Sequence, residues 1–178
     1  MTLLEILFAL PVVLIAGSML ASTLVAIAKQ RSVTLENAVV ATAVQDVFER
    51  MRNEDLRDVF RLYNSEPFDD PLGPGTAPEN FFAVDGLTPR PGVPPGSIGE
   101  IFLPSVNTGT QVAPVWTLRE DVQDADLQMP RDLNGDSVVD EVDHALDYVI
   151  LPMHVRVRWQ GKFGPREFNM HTLLSEFE

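Results

Sequence analysis

The feature that most constrains this chain is a 23-residue run, Ile6 to Ala28, without a single charged side chain. About 20 apolar residues in a helix cross the hydrocarbon core of a bilayer, so the run is long enough to span one. Immediately before it stands one carboxylate, Glu5. An ionised group at the edge of lipid costs a few kcal/mol or more unless a cation meets it, and the nearest obvious cation is an α-amino group, of this chain or of a neighbour. An ordinary secretory signal carries positive charge ahead of its apolar core, whereas here the charge ahead of the core is negative.

Lys29 and Arg31 close the run, and the positive-inside rule taken alone would set them on the cytoplasmic side. From Ser32 to Tyr63 the pattern stays helical. Val40, Val44, Val47, Met51, Val59 and Tyr63 fall near one face, with Phe48 and Phe60 beside them. The opposite face holds Glu36, Asp46, Glu49, Arg50, Arg52, Arg57, Asp58 and Arg61. The spacing predicts one helix over residues 1–63, apolar all round to residue 28 and amphipathic over 29–63. Unbroken, it would be about 90 Å long at a rise of 1.5 Å per residue.

Thr2-Leu3-Leu4-Glu5 followed by such a helix resembles the mature N-terminus of type IV pilins and of the pseudopilins of type II secretion. The resemblance implies that Met1 is a terminus exposed by the prepilin peptidase and then N-methylated. It implies too that Glu5 guides assembly by pairing with the N-terminal amine of Met1 in a neighbouring subunit. The inner membrane would hold the subunit, and its assembly machinery would pass it into a filament, of identical copies or mixed with other pilins. That places the residues after Ala28 outside the cytoplasm, against the positive-inside expectation. Two positions depart from the family pattern: Met1, where Phe is more frequent, and Ser22, where a kinking proline often stands. Pro11 and Gly17-Ser18 are the local weak points of the helix instead.

Residues 64–178 form the expected head. They carry 19 acidic and 7 basic side chains, so most of the chain's net charge of −13 lies here. Such a surface argues against nucleic acid as a partner, which would need clustered Lys and Arg, and favours solubility or divalent cations. The chain has no cysteine, hence neither a disulfide staple nor a thiolate metal site. Residues 64–95 are dense in proline and glycine and are expected as a loop, interrupted where Phe81-Phe82-Ala83-Val84 lies down as a strand. Ser97–Pro104 and Gln111–Leu118 read as short strands, the second confined to an edge or a bend by Pro114. Trp116 reads as a packing residue.

The clearest strand signal is in residues 147–174. Val155, Val157 and Trp159 alternate with His154, Arg156, Arg158 and Gln160, Gly161-Lys162-Phe163-Gly164 turns the chain, and Phe168, Met170, Thr172 and Leu174 alternate on the return. This predicts an antiparallel hairpin with one buried face, His154 and His171 forming a solvated pair across it. It is also similar, more loosely, to the terminal hairpin of minor pilins and pseudopilins.

Residues 132–143 carry the one pattern with chemistry. Asp132, Asn134, Asp136, Asp140 and Asp143 stand at positions 1, 3, 5, 9 and 12 of a loop whose position-7 carbonyl belongs to Val138. That is the spacing of an EF-hand calcium loop, and it is similar to a dockerin repeat. Hard oxygen donors suit Ca²⁺. Ser137 takes the place of the position-6 glycine and Asp143 that of the longer Glu, so affinity is expected at the weak end, roughly 10⁻⁴ to 10⁻³ M. A single loop of this kind would act as a metal clip in a head that has no disulfide.

His144, His154 and His171 form no triad order with a serine, and there is no phosphate-binding Gly-rich loop. A non-enzymatic role is expected. The expected fold is α+β, a pilin-like lollipop in which the long N-terminal helix packs on an antiparallel sheet. The expected function is structural, as a pilus subunit or a type II secretion pseudopilin. A different class of function is also compatible: a membrane-anchored calcium-binding domain that never polymerises.

Overall fold

The computed structural model describes residues 3–110 and 113–175, apart from the side chains of residues 3–6 and 95. Met1 therefore lies outside the described residues, and so does the carboxylate of Glu5. The fold is α+β, a long N-terminal helix and an antiparallel sheet of four strands. The chain divides into two units, Met1–Ala38 and Val39–Glu178.

In the first unit the described residues are all helical, as part of α1 (Leu3–Asn53), which passes Pro11 without interruption. The large apolar side chains from Leu7 to Ile27 keep 55–68% of their area exposed. The few hydroxyls among them are folded back: Ser18 donates to the Ile15 carbonyl, and Ser22 and Thr23 both donate to Met19. Turning a hydroxyl onto its own helix is how an apolar environment is made tolerable for it. This helix is long and apolar enough to cross a membrane.

In the second unit the rest of α1 is amphipathic as its spacing requires. Val40, Val44, Val47, Phe48 and Met51 are buried, and the charged side chains Asp46, Glu49, Arg50 and Arg52 are exposed. The expected continuous helix to Tyr63 does not form, because α1 ends at Asn53 and a second helix, α2 (Leu56–Tyr63), starts after a gap of two residues. The interruption needs no proline. Asp55 takes an extended conformation and accepts the N–H of Arg57, which makes it the N-cap of a new helix. The break re-aims the apolar stripe, so that Val59, Phe60 and Tyr63 enter the same core as Val40–Met51.

The main sheet is ordered β1 (Phe81–Phe82), β2 (Gly99–Phe102), β5 (Ile150–Gly161), β6 (Gly164–Ser175), all antiparallel. The β5–β6 hairpin runs in unbroken register from Ile150↔Ser175 to Gly161↔Gly164, with Gly164 at a φ of 126° closing the turn. Met153, Val155, Val157 and Trp159 bury one face, alongside Ile101 and the helical residues. On the other face Glu100 accepts from Arg156 and Arg158 at 2.9 and 3.2 Å. His154 and His171 do stand opposite each other, their rings stacked at 4.4 Å. Solvation holds for His171, which is exposed, but not for His154, which Phe102 covers from its other side and leaves 6% exposed.

The other expected strands shrink. Ser97–Pro104 contributes β2 and, after Leu103 and Pro104, the chain continues as β3 (Ser105–Asn107). Among the described residues of the next predicted strand, Trp116–Leu118 forms β4 and pairs with β3 in a separate two-stranded sheet, while Gln111 and Val112 lie outside the described residues. The Pro/Gly-rich segment is tied down rather than loose. Asp70 accepts from the N–H groups of Thr76 and Ala77, and Thr88 accepts from the Gln160 N–H of β5.

Candidate metal centre

Between β4 and β5 the chain runs for some thirty residues without helix or strand, and polar side chains organise it. Leu118 ends β4 facing inward, and the period-two alternation carries past the strand so that Glu120 also points inward. One of its oxygens, Oε1, accepts the backbone N–H groups of Leu133 and Asn134 at 2.5 and 3.2 Å. This holds the start of the predicted calcium loop against the end of β4, with Leu133 fully buried beneath it. At the loop's far end Asp143 Oδ1 accepts from Leu118 and Ala145, and the His144 N–H donates to the Leu118 carbonyl.

Inside the loop the acceptors are spent on the loop's own backbone. Asp132 takes the N–H groups of Gly135 and Ser137, one on each oxygen, at 2.6 and 2.7 Å. These bonds, the Gly135 one above all, hold its carboxyl below the usual carboxylate range. Asn134 Oδ1 accepts from Asp136 N–H, Asp136 Oδ1 from Val138 N–H, and Asp140 Oδ1 from Val142 N–H. Ser137 sits at a φ of 69°, the left-handed region that explains why this position of such loops favours glycine. The side chain of Val138 is exposed.

Of the four predicted aspartate ligands, Asp140 alone, among the described residues, belongs to a group of three histidine or acidic side chains whose donor atoms all lie within 4.8 Å of one another. Among the described residues that group is Glu120, Asp140 and His144. The Glu120 side chain is 1% exposed, His144 4% and Asp140 38%. The His144 Nε2 lies 3.1 Å from Asp140 Oδ1 and 3.8 Å from Glu120 Oε2, while its Nδ1 lies 3.1 Å from Asp147 Oδ1. Burial pushes the imidazole pKa down, but the hydrogen bonds of Asp140 and Asp147, joined by the nearby charge of Glu120, more than offset it, and the result is raised. Asp140 is held low, first by the Val142 N–H and then by His144. Glu120 Oε2, buried, has no hydrogen-bond partner.

Two polar anchors brace this segment. Arg119 makes a two-pronged contact with Asp121, at 2.8 and 2.6 Å, and reaches Glu141 at 3.4 Å. Tyr148 donates its hydroxyl to the Leu56 carbonyl and accepts the Phe60 N–H, so it bridges an i,i+4 pair of α2 from across the core. Its burial pushes the phenol pKa up to about 12.

The twelve-residue pattern points to Asp132–Asp143 and does not point to Glu120, which stands 12 residues upstream with no spacing to flag it. The available cue is the alternation Leu118-Arg119-Glu120, which extends the inward face of β4 by one residue. Compared with protein-family models, with curated protein sequences and with solved structures, the chain finds no match.

Proposed function

We propose that this chain is a structural subunit of a type IV pilus or pilus-like extracellular filament, anchored in the inner membrane by residues 7–27 before assembly. One observation carries the reading. From Leu7 to Ile27 the helix keeps its apolar side chains exposed, and from Val40 to Met51 the same helix buries a stripe in the core of an antiparallel sheet. Exposed apolar surface of that extent needs lipid or copies of itself around it. A filament core of packed helices supplies the second as the membrane supplied the first.

In that core Glu5 of an incoming subunit meets the amine of Met1 in a neighbour, in surroundings where the pair is weakly screened. The role is structural rather than catalytic, and the partners are copies of this chain or other pilins, the prepilin peptidase and the inner-membrane assembly machinery. The loop of Asp132, Asn134, Asp136, Val138, Asp140 and Asp143 takes Ca²⁺ weakly and fastens the head. Its all-oxygen donor set and the left-handed Ser137 at its sixth position support this.

The test is a Glu5→Ala chain expressed in place of the natural one, read by electron microscopy of surface filaments and by mass spectrometry of the N-terminal peptide. Filaments and a methylated Met1 in the natural protein, with filaments lost and the head still folded in the variant, support the proposal. Unmodified Met1 and indifference to Glu5→Ala favour an anchored calcium-binding domain that does not polymerise. Filaments confined to the periplasm, appearing only when a secretion machine is overproduced, make it a type II secretion pseudopilin.

A further inference from the structure

Glu120 and His144 are polar side chains buried where nothing in the proposed filament role needs them. Glu120 Oε1 has a structural task, since two backbone N–H groups depend on it. Oε2 has none: it is buried, makes no hydrogen bond, and is aimed at His144 Nε2 from 3.8 Å. An Nε2–H that serves Asp140 at 3.1 Å cannot also serve Glu120 at that distance. A proton on the imidazole therefore satisfies one carboxylate and leaves the other bare. A cation at the centre of the three donors would satisfy all of them.

The dimensions suit such an ion. Ligands bound at about 2.1 Å in a tetrahedral site stand about 3.4 Å apart. The two donor separations measured here, 3.1 and 3.8 Å, bracket that value. On the far side of the ring Asp147 Oδ1 lies 3.1 Å from Nδ1, where it can accept Nδ1–H and leave the Nε2 lone pair to an ion held between the two carboxylates. A carboxylate behind a histidine is the recurrent arrangement that orients an imidazole for a metal. With a nitrogen among the donors, the set suits a borderline divalent ion of the Zn²⁺ class rather than Ca²⁺.

We propose that Glu120, Asp140 and His144 form a binding site for a divalent ion of the Zn²⁺ class, with Asp147 orienting His144. The site joins the end of β4 to the segment entering β5. It stands apart from both the filament reading and the calcium reading, although Asp140 is common to this site and to the calcium loop.

The test uses the full chain in detergent micelles, stripped with chelator and dialysed. Zn²⁺ is titrated by calorimetry, and the ring nitrogens of the three histidines are followed by ¹H–¹⁵N NMR. One Zn²⁺ per chain is expected, with the His144 Nε2 resonance shifted and those of His154 and His171 unmoved. Millimolar Ca²⁺ should not displace it. Asp147→Asn should weaken binding 10- to 100-fold, and Glu120→Gln, which keeps an oxygen for Leu133 and Asn134, by at least as much. Asp132→Asn should leave the affinity unchanged. A His144 resonance indifferent to Zn²⁺ overturns the proposal in the wild-type protein alone. So does equal affinity in wild type and a folded Glu120→Gln chain.

Discussion

Asp136 is exposed, Asp132 and Asn134 are half-buried, and all three turn their oxygens onto N–H groups two to five residues further along the same loop. Glu120 lies wholly buried, and the N–H groups it holds belong to residues 13 and 14 positions away. The first group is local: its hydrogen bonds shape a turn, and water stands ready to replace them. The second is long-range and dry, so its bonds have no substitute. Asp132 and Asp136, which the sequence pattern makes conspicuous, are therefore not the residues on which the fold most depends.

The largest expected effect breaks this contrast at its buried end. Glu120→Ala leaves the Leu133 and Asn134 N–H groups without partners and strands His144 between its remaining carboxylates. An unsatisfied buried donor costs about 1–3 kcal/mol, so unfolding of the head by urea should show a loss of about 4 kcal/mol. Asp132→Ala, measured the same way, should lose much less than Glu120→Ala. Equal losses would mean that burial does not separate the two groups.

Next comes Tyr148, a third buried polar group on the same segment. Its folded-state pKa of about 12 is above the unfolded value near 10. The stability it contributes is thus fully present below pH 10 and is lost as pH rises towards 12, by about 3 kcal/mol for a shift of about two units. A melting temperature that falls across this window in wild type, and falls less in Tyr148→Phe, is the expected result. Identical alkaline profiles would remove Tyr148 from the account.

The smallest effect sharpens the contrast at its exposed end. Ser137 holds a left-handed conformation that costs an L-residue about 1 kcal/mol, and glycine adopts it freely. Ser137→Gly should therefore stabilise the apo head by a few tenths to about 1 kcal/mol, the gain reduced by glycine's larger unfolded-state entropy. It should also tighten Ca²⁺ binding, read by calorimetry. Destabilisation without a change in calcium affinity would count against the loop as a calcium site.

Much of the fold was legible because periodicity carries it. The helical stripe Val40–Met51 and the alternation Val155-Val157-Trp159 both survive into the core. The helix break at Asn53 was not legible, because an Asp in a polar helical face reads as one more surface charge until its carboxylate is seen taking the Arg57 N–H. Burial of His154 was hidden for a similar reason, since the residue that covers it, Phe102, comes from a strand 52 positions earlier. In the candidate site, Asp132–Asp143 was visible as spacing within one segment, whereas Glu120 meets Asp140 and His144 only through the tertiary path of the chain.

The main sheet also sets an order of events during synthesis. β2 pairs with β5 across 58 residues, Gly99 opposite Val157. At about 5–20 residues per second of translation, β2 therefore waits about 3 to 12 s before its partner has been made. The apolar helix, by contrast, is complete long before and is free to enter a bilayer on its own. The apolar helix thus precedes the head, and the head closes only when its last hairpin arrives. The strands kept waiting, β1 and β2, are two and four residues long and set among prolines, too short and too interrupted to recruit a wrong strand in the interval.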